Sequence, residues 1–302
     1  MDKITDQIQR LKKEKNAVIL AHYYTPAEVQ ALADQVGDSY NLAKSATKTL
    51  ADVVVFCGVG FMGESVKILN PEKTVLVPDL SADCAMAHMA DVQQIKSLRD
   101  RYDDLAVVCY INSTAQLKCY SDVCVTSSNA VKIVRALPNK NIFFIPDENL
   151  GSFVAQQVPD KNIILNNGRC PVHAEVKLQQ LQELIAAHPE AKVLAHPECR
   201  PQILALSDYI GSTTGIIDYA KKSDAGAFIV CTEEGVLYPM QSNNPEKAFY
   251  FVADGICCAD MKLNTPEKIL HVLQTGENEI FVDEEIRRKA LRPLERMLEL
   301  AE

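Results

Sequence analysis

The chain has 302 residues, of which 47% are hydrophobic, and this is enough for one large core or for two or three smaller ones. Its formal net charge of −9 argues against nucleic acid as the main partner, because a phosphate backbone is bound by a basic surface. The polar start of the chain lacks the pattern of a signal peptide, and its apolar runs are shorter than the ~20 residues that span a bilayer. We therefore expect a cytoplasmic protein without membrane partners.

Nine apolar segments rich in Val, Ile and Phe alternate with helix-like stretches. In chain order they cover residues 17–21, 52–56, 74–77, 105–110, 141–145, 161–165, 192–195, 227–230 and 248–252. Near-continuous apolar strands separated by helices indicate parallel sheets that are covered on both faces. The sequence therefore predicts an α/β protein.

The nine predicted strands fall into three sets of three, which repeat with a period of about 87 residues. This pattern is typical of one βαβαβ unit used three times. Open parallel sheets bind ligands at the carboxyl ends of their strands. Three such edges that face one axis would form a single central site.

One cysteine follows the third predicted strand of each set. Cys84, Cys170 and Cys258 stand 86 and 88 residues apart, at equivalent places of the repeat. Three thiolates around one axis could hold a [4Fe-4S] cluster, whose fourth iron would lack a protein ligand and could act as a Lewis acid. The alternative is that each is a small buried apolar residue, as free cysteines usually are. Cys257 is an alternative ligand, and zinc is a further alternative, although structural zinc ligands usually come in close pairs.

Polar side chains that can move protons follow the first predicted strand of each set. His22, Tyr110 and His196 stand there, and two residues further on come Tyr24, Asn112 and Glu198. Histidine and glutamate suit general acid–base catalysis, and tyrosine can donate a proton as a phenol or act as a base if its pKa falls. A histidine at a strand end is also often structural, and both interpretations remain open. The other histidines are His173, a further candidate, and His88, His188 and His271, which we expect at the surface.

A serine precedes the next helical stretch in each set. Ser39, Ser127 and Ser212 are 88 and 85 residues apart. Each could be an N-cap, whose oxygen accepts a hydrogen bond from an unpaired backbone N–H. Each could also hold a carboxylate or a phosphate at the start of the helix. The two interpretations are compatible, and three such positions would suit a multiply charged substrate.

A glycine-rich segment at residues 58–63 has the GxGxxG spacing of a dinucleotide-binding loop. Asp79 or Asp83 could then read a ribose. The corresponding segments of the other two sets lack the pattern. The alternative is a glycine-rich turn that brings the backbone close to the central site.

Taken together, the motifs resemble those of the quinolinate synthase family. The matching segments are AHYY at 21–24, GDS at 37–39, YIN at 110–112, CVTSSN at 124–129, PDENL at 146–150, HPEC at 196–199, GST at 211–213 and CADMK at 258–262. The resemblance extends from about residue 17 to residue 268. Two positions depart from it, since Thr25 replaces an expected Gln and Ala259 replaces a frequent Pro.

The resemblance implies three Rossmann-like αβα domains related by a pseudo-threefold axis, around a central active site. Its domain boundaries on this chain are 1–84 plus 259–302 for the first domain, 85–170 for the second and 171–258 for the third. It implies condensation of iminoaspartate with dihydroxyacetone phosphate to quinolinate, phosphate and water in de novo NAD biosynthesis. The open iron of a [4Fe-4S] cluster would act as Lewis acid, and coupling to L-aspartate oxidase would supply the imine.

The resemblance also implies roles for individual residues. The cluster ligands would be Cys84, Cys170 and Cys258. The catalytic residues would be Tyr24 and Glu198 as an acid–base pair, with help from His22 and His196. The substrate-binding residues would be His22, Ser39, Tyr110, Asn112, Ser127, His196, Glu198, Ser212 and Thr213.

Two other classes of function fit the same pattern of residues. A binding protein or metabolite sensor could use the three-domain cleft without catalysis. A zinc-dependent hydrolase is the other alternative. The presence of both Tyr24 and Glu198 favours the condensing enzyme.

Overall fold

Three four-stranded sheets, all parallel, form the framework of the computed structural model, which describes residues 2–252 and 256–301. The strands are β1 (Ala17–His22), β2 (Gln35–Gly37), β3 (Val53–Cys57), β4 (Thr74–Leu76), β5 (Leu105–Tyr110), β6 (Val123–Val125), β7 (Asn141–Ile145), β8 (Asn162–Leu165), β9 (Lys192–Ala195), β10 (Tyr209–Ile210), β11 (Ala227–Cys231) and β12 (Ala248–Phe251). The predicted α/β class and its three repeated parallel sheets are confirmed.

The three sheets have the same strand order. It is β2-β1-β3-β4 in the first, β6-β5-β7-β8 in the second and β10-β9-β11-β12 in the third. All nine predicted strands are present. Each sheet also has a short edge strand, β2, β6 or β10, which the sequence analysis missed because two or three residues are too few to show a strand pattern.

One aspartate joins the edge strand to the first strand in every sheet. Each carboxylate accepts a hydrogen bond from a backbone N–H of the first strand, at 2.7–2.9 Å. The pairs are Asp34 with Ile19, Asp122 with Val107 and Asp208 with Val193. A cation contacts each aspartate, namely Lys12, Arg99 and Lys192 in turn. The aspartates are 88 and 86 residues apart, which is the spacing of the repeat, so the same hydrogen bond from a strand N–H to an aspartate occurs in all three units.

Helices cover the faces of the sheets. The α-helices are α1 (Asp2–Glu14), α2 (Ala27–Leu32), α3 (Ser39–Ala46), α4 (Gly60–Leu69), α5 (Val92–Arg101), α6 (Ala115–Lys118), α7 (Ala130–Ala136), α8 (Glu148–Gln157), α9 (Pro171–Ala174), α10 (Leu178–Ala187), α11 (Pro201–Leu204), α12 (Thr213–Lys222), α13 (Leu237–Asn243), α14 (Ala259–Lys262), α15 (Pro266–Thr275) and α16 (Glu284–Ala301). Short 3₁₀ helices cover Ala85–His88 and Glu234–Val236. Across the described ranges, every helix is too short or too polar to cross a bilayer.

The hydrophobic core is shared unequally among the three units. One continuous cluster of buried residues joins the first two units, with members such as Val54, Phe56, Val107 and Phe144. The third unit has its own two clusters, which contain opposite-facing residues of its sheet. The last two helices differ in their partners, since α15 packs on α1 and β3, whereas α16 packs on α4 and on α6, α7 and β6 of the second unit. Assignment of both helices to the first domain stays a prediction.

Candidate active site

One pocket contains the strand-end residues of all three units. Strand register explains this convergence, because β1 pairs with β3 up to Ala21 and Cys57, and β5 and β9 pair with β7 and β11 in the same way. The next residue of each first strand, His22, Tyr110 or His196, therefore lies at the carboxyl edge of its sheet. The predicted site residues that line the pocket are His22, Tyr24, Ser39, Cys84, Tyr110, Asn112, Ser127, Cys170, His196, Glu198, Thr213 and Cys258. Ser212 is the one predicted residue that is not among the lining residues.

The three cysteines have the same local setting in all three units. Cys84, Cys170 and Cys258 are each the N-cap residue of a single helical turn, which follows β4, β8 and β12 respectively. All three are half-buried. Cys257 is exposed and lines a separate groove, so the pocket contains Cys258 and not its neighbour. The other cysteines are Cys57, Cys109, Cys124, Cys199 and Cys231, which are buried, and Cys119, which is half-buried.

The thiols of the pocket are poor anions on their own. Burial raises the pKa of Cys84 to about 12, and it also raises the pKa of Cys170 and of Cys258. The backbone N–H groups of the following turn act in the opposite direction at each sulfur and lower its pKa. A bound cation would favour the thiolate form strongly in this setting. The chemistry of the donor set therefore fits a thiolate-bound metal group.

A second set of possible metal ligands overlaps the first. Ligand atoms of Cys170, His173 and Glu198 lie within 4.8 Å of one another. However, His173 Nδ1 is already 2.7 Å from Glu198 Oε2, which is a hydrogen bond. A metal held by these three side chains would have to replace that bond. Binding through the three cysteines leaves the His173–Glu198 bond in place, and Cys170 Sγ, which lies 3.3 Å from His173 Nδ1, can still accept from that ring as a thiolate.

Two histidines hold the strand ends by the same hydrogen bond. His22 Nδ1 accepts from the backbone N–H of Tyr24 at 3.1 Å, and His196 Nδ1 accepts from that of Glu198 at 3.4 Å. Burial lowers the pKa of both imidazoles to about 3, so they are neutral at physiological pH. A neutral ring that accepts at Nδ1 carries its proton at Nε2. Each histidine can therefore offer one N–H to a ligand.

A chain of hydrogen bonds joins Tyr24 to Glu198. The Tyr24 hydroxyl lies 2.9 Å from Thr232 Oγ1, which lies 3.0 Å from His173 Nε2. His173 Nδ1 then contacts Glu198 Oε2 at 2.7 Å. Thr213 Oγ1 reaches the other side of the Tyr24 oxygen, at 3.1 Å. When the Tyr24 hydroxyl donates to Thr232 and the Thr232 hydroxyl donates to His173 Nε2, His173 donates its Nδ1–H to Glu198, so all donors point in one direction, towards Glu198.

The two ends of this hydrogen-bond chain, Tyr24 and Glu198, have pKa values that are shifted in opposite directions. Burial raises the pKa of the Tyr24 phenol well above its usual value, and the charge of Glu198 raises it further. Burial alone would also raise the pKa of Glu198, but the adjacent His173, which donates a hydrogen bond to the carboxylate, acts in the opposite direction, and that pKa is lowered. The ground state is therefore a phenol and a carboxylate, separated by two groups that can carry a proton.

His173 was only a secondary candidate on sequence grounds, and Thr232 was not among the predicted site residues. His173 carried a signal, since it stands three residues after Cys170, at the end of the following helical turn. Thr232 carried none that the repeat could reveal, because the equivalent residues are Gly58 and Pro146. Both side chains are buried, with 1% and 0% of their residue surface exposed.

Only one of the three serines is an N-cap, so that interpretation was wrong for two of them. Ser212 caps α12 by accepting from the backbone N–H of Gly215 at 3.2 Å. In α3 the cap is Asp38, which makes Ser39 the first helical residue. In α7 the cap position belongs to Asn129, and Ser127 lies in the preceding turn. Both Ser39 and Ser127 line the pocket, and neither hydroxyl has a hydrogen-bond partner among the described residues.

The glycine-rich segment has a packing role. A Cβ on Gly63 would lie 3.0 Å from Val77 and 3.1 Å from Ile280, and a Cβ on Gly58 would clash with Phe56. Asp79, proposed above as a ribose reader, is instead paired with Lys268. The expectation of surface positions holds for His88 and His271, whereas His188 is half-buried and stacks on Tyr250 at 3.6 Å between ring centroids.

Comparison with known proteins points to one family over nearly the whole chain. The family described as quinolinate synthetase A protein matches residues 6–299. A quinolinate synthase of Fusobacterium nucleatum subsp. nucleatum is 56% identical over 296 residues, covering 98% of this chain and 99% of that protein. One from Clostridioides difficile is 52% identical, with full coverage of both chains. One from Aquifex aeolicus is 46% identical over 300 residues, covering 98% and 93% of the two chains.

Proposed function

The chain belongs to the quinolinate synthetase A family, and from its site we propose that it condenses iminoaspartate with dihydroxyacetone phosphate. The products are quinolinate, phosphate and water, in the de novo synthesis of NAD. The observation that carries the proposal is the composition of the pocket. One cysteine from each unit lies there with two neutral histidines and the two ends of a proton-transfer chain.

The residues that would hold a [4Fe-4S] cluster are Cys84, Cys170 and Cys258. When bound by three thiolates, such a cluster supplies an iron that can act as a Lewis acid on a substrate oxygen. Support comes from the equal setting of the three sulfurs, each of which begins a helical turn at the wall of the same pocket. Cys257, the alternative ligand, lies outside the pocket.

Substrate anions would be held without a charged side chain of opposite sign. Among the described residues that line the pocket there is neither lysine nor arginine. Carboxylate and phosphate oxygens would instead accept from neutral donors, as at an oxyanion hole. Those we propose are the hydroxyls of Ser39, Ser127, Tyr110 and Thr213, the amide of Asn112, and the Nε2–H groups of His22 and His196. Ser212 would act indirectly, by fixing the start of α12 beside Thr213.

Unsatisfied polar atoms in the pocket also suggest a polar ligand. Asn112 Oδ1, Asp38 Oδ2 and Glu198 Oε1 are buried and lack a hydrogen-bond partner in the described part of the chain. All three residues line the pocket. Buried polar atoms are nearly always paired in folded proteins, so a ligand that donates hydrogen bonds would complete them.

Proton transfer would use the chain from Tyr24 to Glu198. The phenol of Tyr24 is too weak an acid to ionise alone, because burial raises its pKa. It can act as a base towards substrate only if its own proton passes through Thr232 to His173. The carboxylate of Glu198 would stabilise the imidazolium that forms, at a distance of 2.7 Å. Reversal of the same transfer would let Tyr24 protonate a leaving hydroxide during dehydration.

Iminoaspartate hydrolyses readily as a free imine, so we propose functional coupling to an L-aspartate oxidase that would supply it. We also propose a cytoplasmic location, because three ligand thiols must stay reduced to bind a cluster.

The proposed function is tested by turnover with both substrates. The anaerobically reconstituted protein should form quinolinate and phosphate in equal amounts from freshly generated iminoaspartate and dihydroxyacetone phosphate. Tyr24→Phe and Glu198→Gln should each lower turnover by about 100-fold or more. Binding of substrates without product would indicate a sensor, and zinc in place of iron would indicate the hydrolase alternative. Wild-type turnover in both variants would refute the acid–base assignment.

A further inference from the structure

In two of the three units, a buried acidic residue follows strand β7 or strand β11. Asp147 follows β7 and Glu233 follows β11, 86 residues apart, which is the spacing of the repeat. Both residues have 0% of their surface exposed. One carboxylate oxygen of each caps the next helix, accepting from Leu150 N at 2.7 Å and from Gly235 N at 2.7 Å. Capping alone leaves the second oxygen of each carboxylate to be explained.

The second oxygen accepts from the backbone of a pocket cysteine. Cys170 N donates to Asp147 Oδ2 at 2.9 Å, and Cys258 N donates to Glu233 Oε1 at 3.1 Å. Each acid therefore ties the start of one helix to the loop that carries a cysteine. Only the Cα and Cβ atoms separate this bonded amide from Sγ. Fixing the amide limits the positions that the sulfur can reach.

The first unit lacks this acid. Val59 stands at the equivalent position, 88 residues before Asp147. The loop before Cys84 is held in another way, by Gly60 N donating to Ala82 O at 2.9 Å and by Asp83 N donating to Asp260 Oδ1 at 3.1 Å. The acid is therefore not a requirement of the βαβαβ unit. It occurs in the two units in which the cysteine amide donates to it.

Glu233 has a further connection to the site. Lys262 Nζ contacts Glu233 Oε1 at 2.7 Å and donates to the backbone oxygen of Tyr24 at 2.9 Å. This lysine thus links the carboxylate that holds Cys258 to the first unit. For Asp147, the partners are backbone N–H groups, and no salt bridge reaches it within the described residues.

We propose that Asp147 and Glu233 are positioning residues that fix the backbone of Cys170 and Cys258, so that both sulfurs are preorganised to bind the cluster. The inference rests on the proposed function, in which these cysteines are cluster ligands. Outer partners of metal ligands typically change metal affinity by about 10–100-fold when they are removed. Asp147 and Glu233 would act through the backbone N–H groups of the two cysteines rather than through their sulfur atoms.

The test separates positioning from capping. In Asp147→Ser, the serine can still cap α8 but has no second oxygen for Cys170 N. In Glu233→Gln, one oxygen remains for the cap, and an amide N–H₂ faces Cys258 N. The matched control is Asp122→Asn, which disturbs the carboxylate that accepts from Val107 N at 2.7 Å, in the same unit as Asp147. Asp122 does not line the pocket.

Three measurements are made on the full chain, namely thermal unfolding without iron, iron and sulfide retention against a chelator after anaerobic reconstitution, and the EPR spectrum of the reduced protein. We expect Asp147→Ser and Glu233→Gln to lose iron about 10-fold faster than wild type and to change the EPR spectrum. Asp122→Asn should lower the unfolding temperature but keep wild-type retention and spectrum.

Two results would overturn the inference. If both variants keep wild-type retention and an unchanged spectrum, the acids are caps only, and the inference fails while the proposed function stands. If the wild-type chain itself takes up no iron, the proposed function fails and the inference fails with it. Glu233→Gln, which preserves volume and one acceptor, decides the question if Asp147→Ser does not fold.

Discussion

At the scale of single residues, Thr232 is the least expected member of the site. It is fully buried and lies outside the lining of the pocket, so it does not touch substrate. Its hydroxyl oxygen lies between the Tyr24 oxygen and His173 Nε2, at 2.9 and 3.0 Å. A side chain of equal shape without the hydroxyl would break proton transfer and leave the pocket intact.

We predict that Thr232→Val lowers kcat by about 100-fold or more and changes KM little. Thr232→Ser keeps the hydroxyl and should stay close to wild type. Steady-state kinetics would give kcat and KM for both variants, and the pH profile of kcat would be compared with that of wild type. Equal loss of activity in both would show that the methyl group and packing matter rather than the hydroxyl.

The two neutral histidines give a pH dependence of stability. Burial lowers the pKa of His22 and His196 from 6.5 to about 3. Between these values the unfolded chain binds more protons than the folded chain, so the free energy of unfolding rises with pH and falls on acidification. Each histidine contributes at most about 1.4 kcal/mol per pH unit in this window.

For the protein without iron, we predict that the free energy of unfolding is about 2–3 kcal/mol lower at pH 5.5 than at pH 7. Urea titrations at the two pH values measure it. The double variant His22→Gln, His196→Gln should flatten the dependence, whereas His271→Gln, at an exposed histidine, should not. An unchanged slope in the double variant would contradict neutral burial of the two rings.

Residue types at repeated positions could be predicted from the sequence, and residues that break the repeat could not. The pocket cysteines recur every 86–88 residues, as do the strand-end positions of His22, Tyr110 and His196, and this spacing placed them at one site. Asp147 and Glu233 also keep the spacing and could have been found by the same comparison. Thr232 has Gly and Pro as counterparts, so its role follows only from contacts in space.

At the scale of elements, the three edge strands depend on one aspartate each. Asp34 accepts from Ile19 N at 2.8 Å and from Lys12 Nζ at 2.6 Å, and Lys12 is only 8% exposed. Loss of the carboxylate would leave a strand amide and a buried ammonium with a poorer partner. Charged hydrogen bonds of this kind are worth about 1.5–3 kcal/mol.

We predict that Asp34→Asn lowers the free energy of unfolding by about 1–3 kcal/mol and leaves turnover nearly unchanged. Asp224→Asn, at an exposed acid, serves as the control and should change it by less than about 0.5 kcal/mol. Urea unfolding and a turnover assay measure the two effects. Equal stability of the two variants would mean that Asp34 does not hold the edge strand.

The last helix, α16, is the element whose place was hardest to predict. Its sequence is amphipathic, but the pattern does not reveal which surface it covers. In the structure it packs on α4 and on elements of the second unit, with Leu294 fully buried. It therefore joins two units by apolar contact.

We predict that Leu294→Ala lowers the free energy of unfolding by about 2–5 kcal/mol, through lost burial and a cavity. Leu50→Ala, at a leucine that is 92% exposed, should have almost no effect. Urea midpoints of the iron-free variants compare them. If the two variants unfolded alike, α16 would not stabilise the junction between the units.

At the scale of the whole molecule, the repeat predicted three sheets and one shared site, and the structure has three sheets of identical strand order. The contacts between units were beyond sequence reasoning because they join distant positions. Tyr24 meets Thr232 across 208 residues, and Lys262 meets the Tyr24 backbone across 238. No local pattern specifies which partner such a side chain will find.

The central claim is that one cysteine from each unit holds a shared cluster, and metal content tests it most directly. We would measure iron and acid-labile sulfide in the anaerobically purified wild type and in serine variants of Cys84, Cys170, Cys258 and Cys257. We predict about four irons and four sulfides per chain in wild type and in Cys257→Ser, and loss of both in the other three variants. A cluster retained in Cys84→Ser, Cys170→Ser or Cys258→Ser, or lost in Cys257→Ser, would contradict it.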